Sequence, residues 1–176
     1  MNELEFEFAS RGKENRASAK ANRDTVLSLL KEAHATEIMA FLRYKHDSQM
    51  ARGIEALSVA EEFRKHAEEE LDHMDRLASR ITQLNGEPDY DPESFASKSR
   101  LKYSQTTELL KMIEESLVAE RGAVDLYLRM IGQIGDQDPT TRRLFEKILS
   151  DEEEHAADLS KLLGEKHLRK VNRYVM

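Results

Sequence analysis

The sequence predicts an all-α fold: a four-helix bundle of two antiparallel hairpins joined by a long crossover between the second and third helices. Three observations predict it. Charged residues make up 35% of the 176-residue chain and aromatics 6%, with only 7 Gly and 3 Pro, a balance that favours long solvated helices over sheets. Four long stretches carry apolar residues at helical period. The connections within the first pair and within the second pair are short, whereas residues 85–105 separate the pairs.

The length corresponds to one domain with one core. Residues 1–20 are polar and mixed in charge and are expected as a flexible N-terminal arm, followed by the bundle over 21–164. The first helix is expected from about Ala21 to Arg52, stopping at Gly53. The second runs from about Ile54 to Leu84, where the turn residues NGEP (85–88) end it. Residues 85–105 form a long connection that holds two prolines and a short helix signal, DPESF (91–95), with an Asp cap and Pro at the first helical position. The third helix spans about Thr106 to Ile134. GDQDP (135–139) turns the chain, Asp138-Pro139 opens the fourth helix, and Gly164 closes it. The basic tail EKHLRKVNRYVM (165–176) is expected as a solvated end or a short fifth helix. A helix of ~30 residues is ~45 Å long, a span that a ~20-residue crossover covers at ~3.3 Å per residue. The third helix can therefore start at the far end of the bundle.

Composition also excludes function classes. No Cys removes disulfides, thiolate metal sites and Cys nucleophiles together. No apolar run approaches the ~20 residues of a membrane span, and the first 20 residues lack the basic-then-apolar order of a secretory signal. A cytoplasmic location is expected. The net charge of −7 argues against a nucleic-acid surface.

The chemistry lies on the core seams, spaced 4,3,4,3. They read Val26, Leu30, Ala33, Glu37, Ala40, Tyr44; then Val59, Phe63, His66, Glu70, His73, Leu77; then Ile113, Leu117, Glu120, Val124, Tyr127, Ile131, Ile134; then Phe145, Ile148, Glu152, His155, Leu159, Leu162. Each seam is apolar at its ends and acidic near its middle. An isolated buried carboxylate costs several kcal/mol or takes up a proton, a cost that a shared dication removes. Two seams carry Glu-x-x-His, as Glu70/His73 and Glu152/His155, 82 residues apart. Residues i and i+3 lie on one helix face, roughly 5–6 Å apart at Cβ, so both can reach one cation, or Glu can bridge two ions while His terminates one. Four Glu and two His supply hard oxygen with some imidazole, suited to iron or manganese. Di-iron carboxylate bundles use one Glu from each of two helices and Glu-x-x-His from the other two; Glu37 and Glu120 are the single acids here. Tyr44 follows Glu37 by seven residues and Tyr127 follows Glu120 by seven, so the halves repeat about a pseudo-twofold axis. The competing reading is a metal-free buried ionic network, which gives no reason for two Glu-x-x-His copies in register.

The pieces EIMAFLRY (37–44), EEELDHMDRLASRITQLNGEP (68–88), AERGAVDLY (119–127) and DEEEHAADL (151–159) resemble the ferritin-like superfamily, nearest to bacterioferritin and the Dps-like miniferritins with a bacterioferritin-type centre. The resemblance spans roughly residues 25–163. It implies a ferritin-like bundle whose di-iron centre (Glu37, Glu70, His73, Glu120, Glu152, His155) oxidises Fe(II) with dioxygen or hydrogen peroxide. Fe(III) would be stored inside a homo-oligomeric shell, with two iron ions per subunit and manganese or zinc able to substitute. Bacterioferritin carries its haem-ligating Met directly after the first-pair Glu; this chain has Leu71 there, so haem is not expected. Two other classes stand beside it: a non-cage di-metal enzyme such as a manganese catalase or oxidase, and a Dps-like DNA-protecting protein, for which the basic tail (Lys166, Arg169, Lys170, Arg173) is a contact candidate. A helix after Gly164 would favour 24 subunits, and a helix inside 89–98 would favour 12.

Accessory roles stay open at this point. His66 is a third iron position, an entry ligand, or a satisfied histidine on the inner surface. Tyr44 and Tyr127 hydrogen-bond the bridging carboxylates, are oxidised transiently, or simply pack. Asp151 and Glu69 each precede a histidine of their own helix by four residues and can fix its tautomer, although Glu69 is equally placed for solvent. His34, His46 and His167 lie off the seams and are expected at the surface.

Overall fold

The computed structural model describes the backbone of residues 3–103 and 106–171 and the side chains of 22–103 and 106–164. It is all-α: α1 (Glu3–Met50), α2 (Leu57–Gln83), α3 (Pro92–Lys98), α4 (Leu109–Ile134) and α5 (Pro139–Val171), with a 3-10 turn at Ile54–Ala56 leading into α2. Helix α1 packs chiefly on α2 and α4 on α5, giving the two expected hairpins, and weaker contacts join α1 to α4 and α2 to α5. Among the described residues no helix is long and apolar enough to cross a membrane.

Local sequence explains the boundaries. Helix α1 begins at Glu3 rather than Ala21, so the segment expected as an arm extends the first helix. That segment lacks Pro and is rich in Glu, Lys, Arg and Ala, whose helix propensity carries the backbone beyond the apolar period. The α2 end is held by Asn85 in the left-handed region (φ 56°), while the amide of Gly86 donates back to the Ile81 carbonyl at 2.9 Å. A Cβ on Gly86 would lie 2.6 Å from Leu27 Cδ2, so this turn needs glycine for close approach to α1. Asp91 caps α3 by accepting from the Glu93 amide at 3.1 Å, with Pro92 at the first position as its sequence predicts. Asp138 caps α5 through the Thr140 and Thr141 amides, and Arg80 of α2 grips the same carboxylate with two 2.9 Å contacts. At Gly164 (φ 66°, ψ 166°) α5 breaks and then continues as helix to Val171. The two features tied to 12 and to 24 subunits, α3 and a helix after Gly164, therefore occur together.

The crossover is strapped to α1. Arg100 donates to Glu32 at 2.5 Å, Arg129 of α4 reaches the same carboxylate at 3.0 Å, and Tyr90 stands edge-on to the His34 ring at 4.9 Å. His34 is consequently buried rather than at the surface, and burial pulls its pKa down. His46, also expected outside, is half-buried with its Nδ1 2.9 Å from Asp47.

The expected seams line the bundle interior, with Val124 and Ile131 only half-buried and one seam residue displaced. Leu162 is exposed and Leu163 takes its place, because the seam steps four residues from Leu159 just before the Gly164 break. The apolar core is in two parts. One is built from residues such as Leu30, Leu77, Ile81, Met130, Phe145 and Ile148, the other from Val59, Phe63, Met112, Leu117, Leu159 and Leu163. Between the two plugs lies a layer of buried carboxylates and imidazoles.

Candidate metal centre

All six predicted ligands meet in that layer, and all are nearly inaccessible to solvent: Glu37, Glu70, Glu152 and His155 at 0–1%, His73 at 2%, Glu120 at 3%. Helix α1 supplies Glu37, α2 Glu70 and His73, α4 Glu120, and α5 Glu152 and His155. His73 turns Nδ1 toward Glu70 Oε2 (3.2 Å), Glu152 Oε1 (3.2 Å) and Glu37 Oε2 (3.6 Å). His155 turns Nδ1 toward Glu70 Oε1 (3.2 Å), Glu152 Oε2 (3.6 Å) and Glu120 Oε2 (3.9 Å). Glu70 and Glu152 thus present one oxygen to each histidine. Two donor sets result, Glu37/Glu70/His73/Glu152 and Glu70/Glu120/Glu152/His155, each with one donor atom per residue within 4.8 Å of the others.

Several of these atoms approach without making hydrogen bonds. Glu70 Oε1, Glu152 Oε1 and His155 Nδ1 are buried and have no hydrogen-bond partner, although Glu70 Oε1 lies 3.2 Å from His155 Nδ1 and Glu152 Oε1 lies 3.2 Å from His73 Nδ1. Buried acceptors left unpaired cost about 1–3 kcal/mol each. Atoms of this kind, converging from α2 and α5 with mixed oxygen and imidazole character, fit a pair of divalent cations of the iron or manganese type.

Protons take up part of the charge in the metal-free layer. Burial lowers the His73 and His155 pKa values, but the closely facing glutamates outweigh it, Glu152 foremost: His73 is held well above its usual range, and His155 is pushed up to about 12. Burial, then the neighbouring Glu152 charge, hold the Glu120 carboxyl well above the carboxylate range.

The outer partners cross between helices. His73 Nε2 faces Asp151 of α5 at 3.3 Å, and His155 Nε2 faces Glu69 of α2 at 2.8 Å. The expectation that each acid serves the histidine four residues after it in its own helix is therefore wrong. In antiparallel α2 and α5 the position before Glu70 and before Glu152 faces the partner helix. The tyrosines cross in the same way: Tyr44 of α1 donates to Glu120 of α4, and Tyr127 of α4 donates to Glu37 of α1. They bond the single acids, not the shared Glu70 and Glu152. Burial and then those carboxylates raise both phenol pKa values, which keeps each tyrosine a donor.

His66 is fully buried, stacked on His155 at 4.1 Å between ring centroids and edge-on to Tyr44 at 5.1 Å. Burial foremost, then the charge on His155, pull its pKa down to about 3. Beside it, Glu62 and Asp158 complete a cluster that the seam pattern did not single out. Its signal was present in the sequence: Glu62 precedes His66 by four residues and Asp158 follows His155 by three, which brings both acids near the seam.

Comparison with known proteins places these observations. The ferritin-like domain family matches residues 27–168. Bacterioferritin of Mycobacterium avium is 34% identical over 131 residues, covering 74% of this chain and 78% of its own. The DNA protection during starvation protein of Pyrococcus furiosus is 29% identical over 143 residues, covering 80% of this chain and 77% of its own. Among solved structures, the dodecameric thioferritin of Bacteroides fragilis, a bacterioferritin-related protein, superposes with a TM-score of 0.78 at 27% identity, covering 90% of this chain and 98% of that one.

Proposed function

The chain belongs to the ferritin-like family, and from that premise we propose that it is a ferroxidase that stores iron, oxidising Fe(II) at the Glu37/Glu70/His73/Glu120/Glu152/His155 centre and holding Fe(III) within a homo-oligomeric shell. The observation that carries the reading is the sharing of Glu70 and Glu152 between two donor sets, one oxygen turned to each histidine. Two Fe(II) ions are the substrate. Held side by side they supply two electrons, the number that reduces dioxygen to hydrogen peroxide or hydrogen peroxide to water. The protein contributes position and charge: Glu37 and Glu120 each complete one set, and the Tyr127 and Tyr44 hydroxyls hold those two carboxylates in place. Asp151 and Glu69 fix the imidazoles with Nδ1 inward. The buried layer keeps bulk water away from the reacting pair.

The relatives named for bacterioferritin support iron storage; the relative named for DNA protection keeps a Dps-like role in view, against which the net charge of −7 weighs. A manganese catalase or other non-cage enzyme would use the same centre in a small oligomer, so native mass separates it from a 12- or 24-subunit shell.

Glu37→Ala or Glu120→Ala is expected to leave the fold intact and slow Fe(II) oxidation by about 100-fold or more, beyond the 10–100-fold cost of losing outer partners. Stopped-flow absorbance of Fe(III) formation measures it, and an unchanged rate in either variant removes the assignment. The purified protein is also expected to carry no stoichiometric haem, because Leu71 offers no sulfur. A Soret band at one haem per two subunits would contradict this.

A further inference from the structure

We propose that a second copy of this chain seats its stretch ELEFEF (3–8) in the cavity between the crossover and α4. The cavity has a volume of about 780 Å³ and is walled by Arg43 of α1, by residues 100–103 of the crossover and by α4 as far as Gly122. None of the six candidate metal ligands lines it, so the proposal stands apart from the ferroxidase reading.

The wall asks for both kinds of hydrogen-bonding partner. Arg43 is 6% exposed, yet its Nε and Nη2 make no hydrogen bond: Asp47 Oδ2 and Glu115 Oε2 each stand 3.9 Å away. Glu115 Oε2 is likewise buried and unpaired. Buried donors and acceptors left in this state are costly. An occupant that brings carboxylates to Arg43 and N–H groups to Glu115 removes the cost, and an acidic peptide carries both. The rest of the wall agrees. Tyr103 and Val118 are each 42% exposed and stand with Leu101 and Leu110 as an apolar floor. Arg43, Arg100, Lys102 and Lys111 set four cations against the three carboxylates of Glu108, Glu114 and Glu115, in a chain whose net charge is −7.

The sequence contains a segment of that chemistry. Residues 3–8 interleave Glu3, Glu5 and Glu7 with Leu4, Phe6 and Phe8, and hold two of the chain's six Phe and no cation. Geometry assigns the segment to a second copy. Helix α1 runs from Glu3 to Met50, and Val26 already packs with Ile134 and Phe145 at one end of the bundle. The backbone of residues 3–21 therefore carries the helix about 28 Å past that end, at 1.5 Å per residue. Phe8 and Arg43 are 35 positions apart in one helix, or about 52 Å along its axis, so the segment cannot fold back onto its own cavity. The same projection puts it within reach of a neighbour. Side-chain pockets and charge then set the choice of partner surface.

Cross-linking of the full chain tests the docking, and the chain has no Cys of its own to interfere. Phe8→Cys/Val118→Cys, oxidised in air and separated without reductant, is expected to give covalently joined subunits; Phe8→Cys alone and Val118→Cys alone are not. Adding Lys102→Glu/Lys111→Glu should slow the joining about tenfold, the scale of two weak exposed pairs turned from attraction to repulsion. Glu3→Lys/Glu5→Lys on top of that should restore it. Absence of joined subunits overturns the proposal, and so does a joining rate indifferent to both charge changes. A link closed within one subunit overturns the assignment to a second copy. Maleimide labelling of Val118→Cys gives a second reading: it should quicken about tenfold when Phe6→Ser/Phe8→Ser is added. Equally fast labelling in both backgrounds shows an empty cavity, equally slow labelling shows a different occupant, and either result overturns the proposal.

Discussion

Changing Glu70 and Glu152 together to Gln is expected to raise the melting temperature of the metal-free protein and to abolish the increase that Fe(II) or Mn(II) produces in the wild type. Both carboxylates are fully buried and central, each facing both histidines and, with Glu37 and Glu120, converging on one layer. Removing a carboxylate from water costs several kcal/mol even after relaxation, and a neutral amide of the same shape costs much less. In the wild type a bound dication would offset that cost. A site held at 100 times its dissociation constant stabilises by about 2.7 kcal/mol, about 5–10 °C for a chain of this size. Thermal unfolding with chelator and with metal, for wild type and the double variant, makes the comparison. A wild type that melts at one temperature in both conditions would return the layer to a metal-free ionic network.

The same experiment has a definite pH dependence. His73 and His155 have folded pKa values raised above the unfolded value near 6.5. Their contribution to the metal-free fold is therefore complete below about pH 6.5 and declines as pH rises toward the folded values. Glu120, raised above 4.5, binds its proton more tightly in the folded state, so it too makes stability fall with increasing pH above that value. Metal must displace these protons, so affinity grows as pH rises. The gap between loaded and metal-free melting temperatures should widen from pH 6 to pH 8.

The candidate ligands could be read from the sequence because burial and chemistry conflict there. Glu37, Glu70, Glu120 and Glu152 break otherwise apolar seams, and helical period alone assigns them to the interior. The short connections gave the hairpins for a similar reason, since few residues can join helices only at adjacent ends. What escaped depends on contacts between elements. His34 lies off the seam and is buried where Tyr90, from the crossover, stands edge-on to it. Leu162 and Leu163 differ by one position at a helix break, where a 4,3 pattern no longer fixes the step. The Glu62/His66/Asp158 cluster draws on two helices whose relative rotation no single-helix period specifies.

The outer acids carry the most discriminating consequence of that limit. One-helix geometry pairs Asp151 with His155 and Glu69 with His73; the structure pairs Asp151 with His73 at 3.3 Å and Glu69 with His155 at 2.8 Å. Glu120→Ala leaves only the His73 set complete, and Glu37→Ala leaves only the His155 set. In the Glu120→Ala background, Asp151→Asn is expected to weaken Co(II) binding by about tenfold, the lower end of the 10–100-fold cost of losing an outer carboxylate, and Glu69→Gln to change it little. In the Glu37→Ala background the roles reverse, with a smaller effect from Glu69→Gln because that side chain is 41% exposed and solvent can replace part of its charge. Asp151 also accepts from Lys147 at 2.5 Å, so Lys147→Ala serves as the control for a change in surface charge alone. Because each background isolates one histidine, the two double-variant comparisons separate direct pairing from a diffuse electrostatic effect. Equal losses from Asp151→Asn in both backgrounds would show the diffuse effect, and an inverted pattern would restore the pairing within each helix.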